Sequence, residues 1–184
     1  MFTLCHDPRV TASWELIGER PGSAGYLPIT THRYRLPDGT EAEWDIFGGA
    51  RSVAILAITA DEEVVLARQF RPGPGRMLDE LPGGYVEDGE DVLAAGAREL
   101  LEETGYAGEI ELAGTSWMAS ACRTERFVTI VCGAMQVAAP ANEPGEFCEV
   151  VLVSLADFRR RLRRGQMTDV DLGYLALDHL GLLA

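Results

Sequence analysis

Residues 84–106, GYVEDGEDVLAAGARELLEETGY, restrict what this chain can fold into more than any other stretch. Leu93, Ala97, Leu100, Leu101 and Thr104 recur at a helical period, and Asp88, Glu90 and Asp91 crowd the end where a helix dipole is positive. Gly105 supplies a left-handed stop. On such a helix Glu99 and Glu103 lie about 40° apart around the axis, and Glu102 about 60° to the other side of Glu99. Three carboxylates therefore share one turn. Like charges this close repel unless a cation neutralises them. Oxygen donors without His or Cys beside them suit a hard ion, Mg²⁺ or Mn²⁺, that also grips phosphates. Arg98 can offset part of the charge and orient the carboxylates. The competing reading is a solvated acidic face.

A further regularity separates the two readings. Gly84, five residues, Glu90, seven residues, Arg98-Glu99-Leu100, one residue, Glu102-Glu103, one residue and Gly105 together resemble the Nudix box. Tyr106 departs from it, standing where that family usually has a branched aliphatic, which bears on packing more than on chemistry. The resemblance implies an α/β protein, a Nudix-type α/β/α sandwich with a mixed β-sheet. It implies hydrolysis of a nucleoside diphosphate linked to another group. It makes Glu99 and Glu103 direct metal ligands, with Glu102 sharing or bridging through water and the Gly83 carbonyl completing the set. Glu90 and Arg98 would orient them from behind.

The rest of the chain sets the boundaries. With 184 residues it can hold one domain with a core and a small extension. A net charge of −13 argues against nucleic-acid or anionic-membrane partners, and an anionic substrate would need metal ions and local arginines. Cys5, Cys122, Cys132 and Cys148 form no CxxC pair and read as thiols in a reducing compartment. No signal peptide is visible, and no apolar run approaches the ~20 residues that span a bilayer, so a cytoplasmic location is expected.

Residues 1–50 read as a strand-rich region, with a loosely alternating segment at 14–20. A hairpin is expected from 31–36 and 41–46 about the Pro-Asp-Gly-Thr turn. So short an element needs the main domain, 51–184, or a second subunit to pack on. The apolar run 53–58 predicts a central strand buried on both faces, and 64–70 the next. Segments 109–112, 127–133 and 150–153 read as strands, with 138–145 a surface loop. Ser154 opens a helix carrying Arg159, Arg160, Arg161, Arg163 and Arg164, taken as a solvated face. A last helix is expected over about 169–183.

Outside the box the chain resembles the ADP-ribose pyrophosphatase branch. The likeness rests on the strand-rich lead-in, on Arg68-Gln69-Phe70-Arg71-Pro72 before Asp79-Glu80-Leu81-Pro82-Gly83-Gly84, and on Glu143-Pro144-Gly145-Glu146-Phe147 before a strand. It implies a homodimer built through the N-terminal region, Arg71 on a phosphate, and Glu80 near the terminal sugar or the metal. A glutamate in the late loop would be the general base; Glu146 is the first choice, with Glu143 and Glu149 as rivals. A proline common past the box in ADP-ribose enzymes is missing from 119–122. GDP-mannose, NADH and dinucleoside polyphosphates therefore stay open as substrates beside ADP-ribose and ADP-sugars. A prenyl-diphosphate isomerase and a non-catalytic nucleotide sensor are the readings from other classes.

Overall fold

The computed structural model describes residues 29–36, 38–141 and 147–183. The segment 14–20 and the loop residues Glu143 and Glu146 lie outside the described residues. The elements are β1 (Ile29–Arg35), β2 (Glu41–Phe47), β3 (Arg51–Thr59), β4 (Glu63–Arg71), β5 (Arg76–Glu80), β6 (Gly83–Val86), α1 (Val92–Thr104), β7 (Tyr106–Ala107), β8 (Ile110–Trp117), β9 (Glu125–Gln136), β10 (Glu149–Ser154), α2 (Leu155–Arg163) and α3 (Val170–His179).

The run 53–58 sits at the centre because both faces of β3 are apolar. Ala54, Leu56 and Ile58 face one cluster with Val64, Leu66, Phe158, Leu162, Leu172 and Leu177. Ile55 and Ala57, one residue out of phase, join Val65, Leu100 and Val131 on the other side. Period-2 alternation thus puts α2 and α3 on one face of the sheet and α1 on the other. The architecture is the expected α/β/α sandwich. The sheet has eight strands in the order β10-β4-β3-β9-β7, with β5 on β4, β6 on β3 and β8 on β9. It is mixed: β3 and β9 run parallel, Val53 opposite Phe127, while the other pairs are antiparallel.

The structure adds three strands to the expected set: β5, β6 and the two-residue β7, which pairs with β9. β6 forms on the glycines that lead into the box, with Gly83 pairing to Ala54 and Val86 to Arg51. β5 returns along β4 after the Pro-Gly turn, Arg71 opposite Arg76. The last helix ends at His179, short of 183, and Leu182 N–H folds back to the Leu177 carbonyl at 2.7 Å. The arginines of α2 are not all solvated. Arg159 donates to the Leu182 carbonyl at 2.7 Å, and Arg161 pairs with buried Asp79, which Arg68 also holds at 2.6 Å.

The hairpin β1–β2 forms as expected, as a separate two-stranded sheet with Arg33 opposite Glu43. Most of its residues are exposed, and Tyr34 meets Trp44 edge-on at 5.6 Å. It joins the body where Phe47 N–H donates to the Ala121 carbonyl and the Phe47 carbonyl accepts from Arg123, at 3.0 and 2.8 Å. Cys122 and Cys132 are free thiols. No helix among the described residues is long and apolar enough to cross a membrane.

Candidate active site

α1 is placed by its two ends. The Asp91 side chain accepts from Leu93 and Ala94 N–H at 3.0 and 3.3 Å, and Gly105 closes the helix at φ 74°. This fixed helix carries the acidic turn to β6. A Cβ built on Gly84 would lie 2.4 Å from a Glu99 carboxylate oxygen, so only glycine lets that side chain lie against β6. Glu103, buried at 7% exposure, accepts from Gly83 N–H at 2.8 Å.

Arg98 is the hub. Its Nε donates to Glu90 at 3.1 Å, one terminal nitrogen to Glu99 and Glu102 at 2.9 and 3.1 Å, and the other to the Tyr85 carbonyl and Glu90 at 3.2 Å. The Glu90 hydrogen bonds, then those to Glu99 and Glu102, hold the guanidinium proton well above its usual strength, although burial opposes this. Glu90 in turn is held below the ordinary carboxylate range by Arg98 and by Glu87 N–H. Arg98 thus ties Glu90 to the acidic turn.

Among the described residues no three such side chains stand together as a ready cage for an ion: Arg98 holds Glu99 and Glu102 while Glu103 faces Gly83. The donors nevertheless fit a hard divalent cation. Glu99, Glu102 and Glu103 offer oxygen alone, and the backbone of Gly83 is in direct contact with one of them.

A cavity of about 570 Å³ opens beside this turn, lined in part by Ser52, Val53 and Ala54 of β3. Arg71 and Gln69 of β4 line its wall, and Arg126, Thr168 and Asp169 close it beside α3. Arg71 Nε donates to Glu80 Oε2 at 2.7 Å. Burial works against the Arg71 charge, but Glu80, with Glu103 and Asp169, more than offsets it and strengthens the protonated form. Arg126 pairs with Asp169 and, at 2.9 Å, with Asp171, which also accepts from the Ser116 hydroxyl at 2.8 Å. Burial pushes the Asp169 carboxyl up despite Arg126, with Glu80 and Asp171 adding to the rise.

The structure thus brings Glu99, Glu102, Glu103, Gly83, Arg98 and Arg71 to one cavity. Glu80 lies behind Arg71 rather than in the open. Glu149, the described rival for the base, is exposed in β10 opposite Arg68. Gln69, Arg126 and Asp169 are cavity residues that the sequence did not single out. Nothing local marks them, since Arg126 meets Asp169 across 43 positions.

The sandwich, the glycine-flanked β6 and the acidic turn of α1 define a Nudix-type hydrolase site. A NUDIX domain model matches residues 48–170, and the chain belongs to that family. Its members generally use a divalent metal ion. Among curated relatives, an ADP-ribose pyrophosphatase of Bacillus subtilis is 29% identical over 163 residues, covering 87% of this chain and 88% of that protein. An ADP-ribose pyrophosphatase of Saccharomyces cerevisiae is 39% identical over 42% of this chain and 38% of its own length. An ADP-sugar pyrophosphatase of Mus musculus is 38% identical over 60% of this chain and 54% of its own. The chain therefore spans well under two thirds of the yeast and mouse proteins. A solved structure titled as an ADP compounds hydrolase superposes with a TM-score of 0.74 over 89% of this chain and 93% of that one, at 18% identity, a likeness of fold.

Proposed function

We propose that this chain is a Mg²⁺-dependent pyrophosphatase that splits ADP-ribose or a related ADP-sugar into AMP and a sugar phosphate. The observation that carries the reading is one cavity holding both the acidic turn, Glu99, Glu102 and Glu103, and the Arg71 guanidinium. Such a cavity offers a place for a cation and a place for a phosphate at once. The B. subtilis ADP-ribose pyrophosphatase, matched over 88% of its length, supports the choice of substrate.

Glu99, Glu103 and the Gly83 carbonyl would hold the ion, with Glu102 sharing it directly or through water. A bound divalent ion withdraws charge from a diphosphate and acidifies a neighbouring water. Arg71 takes up phosphate charge that a protein of net charge −13 would otherwise repel. Arg98 and Glu90 keep the carboxylates aimed. Glu146 accepts the proton of the attacking water as its oxygen bonds to phosphorus and the anhydride P–O bond breaks, leaving the second phosphate as the leaving group. The working form is a cytoplasmic homodimer, joined through residues 1–50, which precede the catalytic domain, 51–184. The exposed Tyr34 and Trp44 of the hairpin support that role for it.

The test is hydrolysis at matched concentrations of ADP-ribose, ADP-glucose, GDP-mannose, UDP-glucose, NADH and diadenosine polyphosphates, with and without Mg²⁺. AMP and ribose 5-phosphate from ADP-ribose, abolished by chelation, is the expected result. Preference for GDP-mannose or a dinucleotide would overturn the substrate, and turnover without a divalent ion would overturn the mechanism.

A further inference from the structure

Glu80 ends β5 with 1% of its surface exposed, and its contacts are one-sided. Arg71 reaches Oε2 through both Nε, at 2.7 Å, and a terminal nitrogen. The Gln69 amide approaches the same oxygen at 3.5 Å. Oε1 is buried with no hydrogen-bond partner among the described residues. An arginine–carboxylate pair that served stability alone would gain by meeting fork to fork, one donor to each oxygen. This pair forgoes that gain and leaves a buried oxygen bare, a local cost of the kind that clusters at functional sites.

Arg71 has other attractions. Its side chain is 42% exposed at the cavity wall, where Glu103 and Asp169 also pull on its charge. An unanchored guanidinium there could settle on the acidic turn that is to hold a cation. Glu80, fixed in a strand and almost fully buried, decides the matter. We propose that Glu80 is a positioning residue that fixes the Arg71 guanidinium at the cavity wall, ready for a diphosphate. It holds the Nε edge and leaves the second terminal nitrogen out of the clasp. This inference rests on the pyrophosphatase reading above, and gives Glu80 a task other than the place near sugar or metal that family resemblance implies.

The experiment compares wild type, Glu80→Gln, Arg71→Ala and the double variant. It measures steady-state kinetics on ADP-ribose at saturating Mg²⁺, and affinity for its α,β-methylene analogue by calorimetry. Glu80→Gln keeps the side chain's size and removes its charge. It raises KM and the analogue Kd about tenfold, as expected for a lost charged hydrogen bond, with kcat changed far less. In the Arg71→Ala background the same change adds nothing, because Glu80 acts through Arg71. A lower melting temperature with wild-type KM and Kd would make Glu80 structural and overturn the proposal. Additive losses in the double variant would overturn it too, since Glu80 would then touch the ligand itself. If Glu80→Gln fails to fold, Glu80→Asp, which keeps the charge but draws it back, must raise KM likewise; a wild-type KM there refutes the role. Wild-type protein that neither binds the analogue nor turns over ADP-ribose would remove the pyrophosphatase reading and this inference with it, an outcome distinct from a silent Glu80 variant.

Discussion

Gly84 and Glu99 pack so closely that a methyl group on Gly84 would lie 2.4–2.8 Å from all three atoms of the Glu99 carboxylate. The strand therefore sets where the first acid of the acidic turn can stand. Gly84→Ala must push that carboxylate aside. A displacement of about 1 Å in a positioned group costs on the order of 10²-fold in rate. We expect kcat/KM to fall by about that much, with a melting temperature near wild type, as kinetics and calorimetry would record.

Glu103 is buried and rests on Gly83 N–H. Glu103→Gln keeps its size and removes the charge that would meet a cation. Turnover should fall by more than the ~10- to 100-fold typical of losing an outer-shell partner, while the analogue Kd changes little. Normal turnover would remove Glu103 from the metal set.

Arg126, only 11% exposed, stands between Asp169 and Asp171. Arg126→Met leaves Asp169 partly buried without its counter-charge, a change that costs about 3–5 kcal/mol for a fully buried pair and less here, measurable by urea denaturation. The sign with pH follows from the Asp169 carboxyl, which burial raises above its unfolded value. A group shifted that way costs stability as pH rises through the window between the two values, and the cost is relieved on acidification. Without Arg126 the shift grows, so the stability gap between variant and wild type should narrow as pH falls from neutral. A gap that widens in acid would refute this.

Residues 1–50 are proposed to join two copies. Light scattering of a chain truncated to residues 51–184 should report a monomer where the full chain reports a dimer. A truncated dimer would move the interface elsewhere.

α1 was legible from sequence, because its apolar period, its acidic turn and its Gly105 stop all point the same way. β3 and β4 were legible for a similar reason, long branched runs that have no other stable place. β5 and β6 were not, being five and four residues long with glycine and proline around them, so that pairing with β4 and β3 creates them. The cavity wall divides in the same way. The acids of α1 announce themselves by spacing, whereas Arg126 and Asp169 meet by the course of the chain. The one-sided grip of Glu80 on Arg71 depends on hairpin geometry that no spacing encodes.

Arg98 has a consequence for how the protein meets its ion. With its guanidinium on Glu90, Glu99 and Glu102, the acidic turn carries its own internal cation. Repulsion that would otherwise strain α1 is already answered within the chain. Loss of the metal should then leave the fold intact, unlike small zinc domains that unfold when stripped. Chelator should abolish hydrolysis while shifting the melting temperature by less than about 2 °C, no more than about 1 kcal/mol for a domain of this size. Activity would then follow the supply of divalent ion in the surroundings, as a dimmer follows current, with the number of folded molecules unchanged.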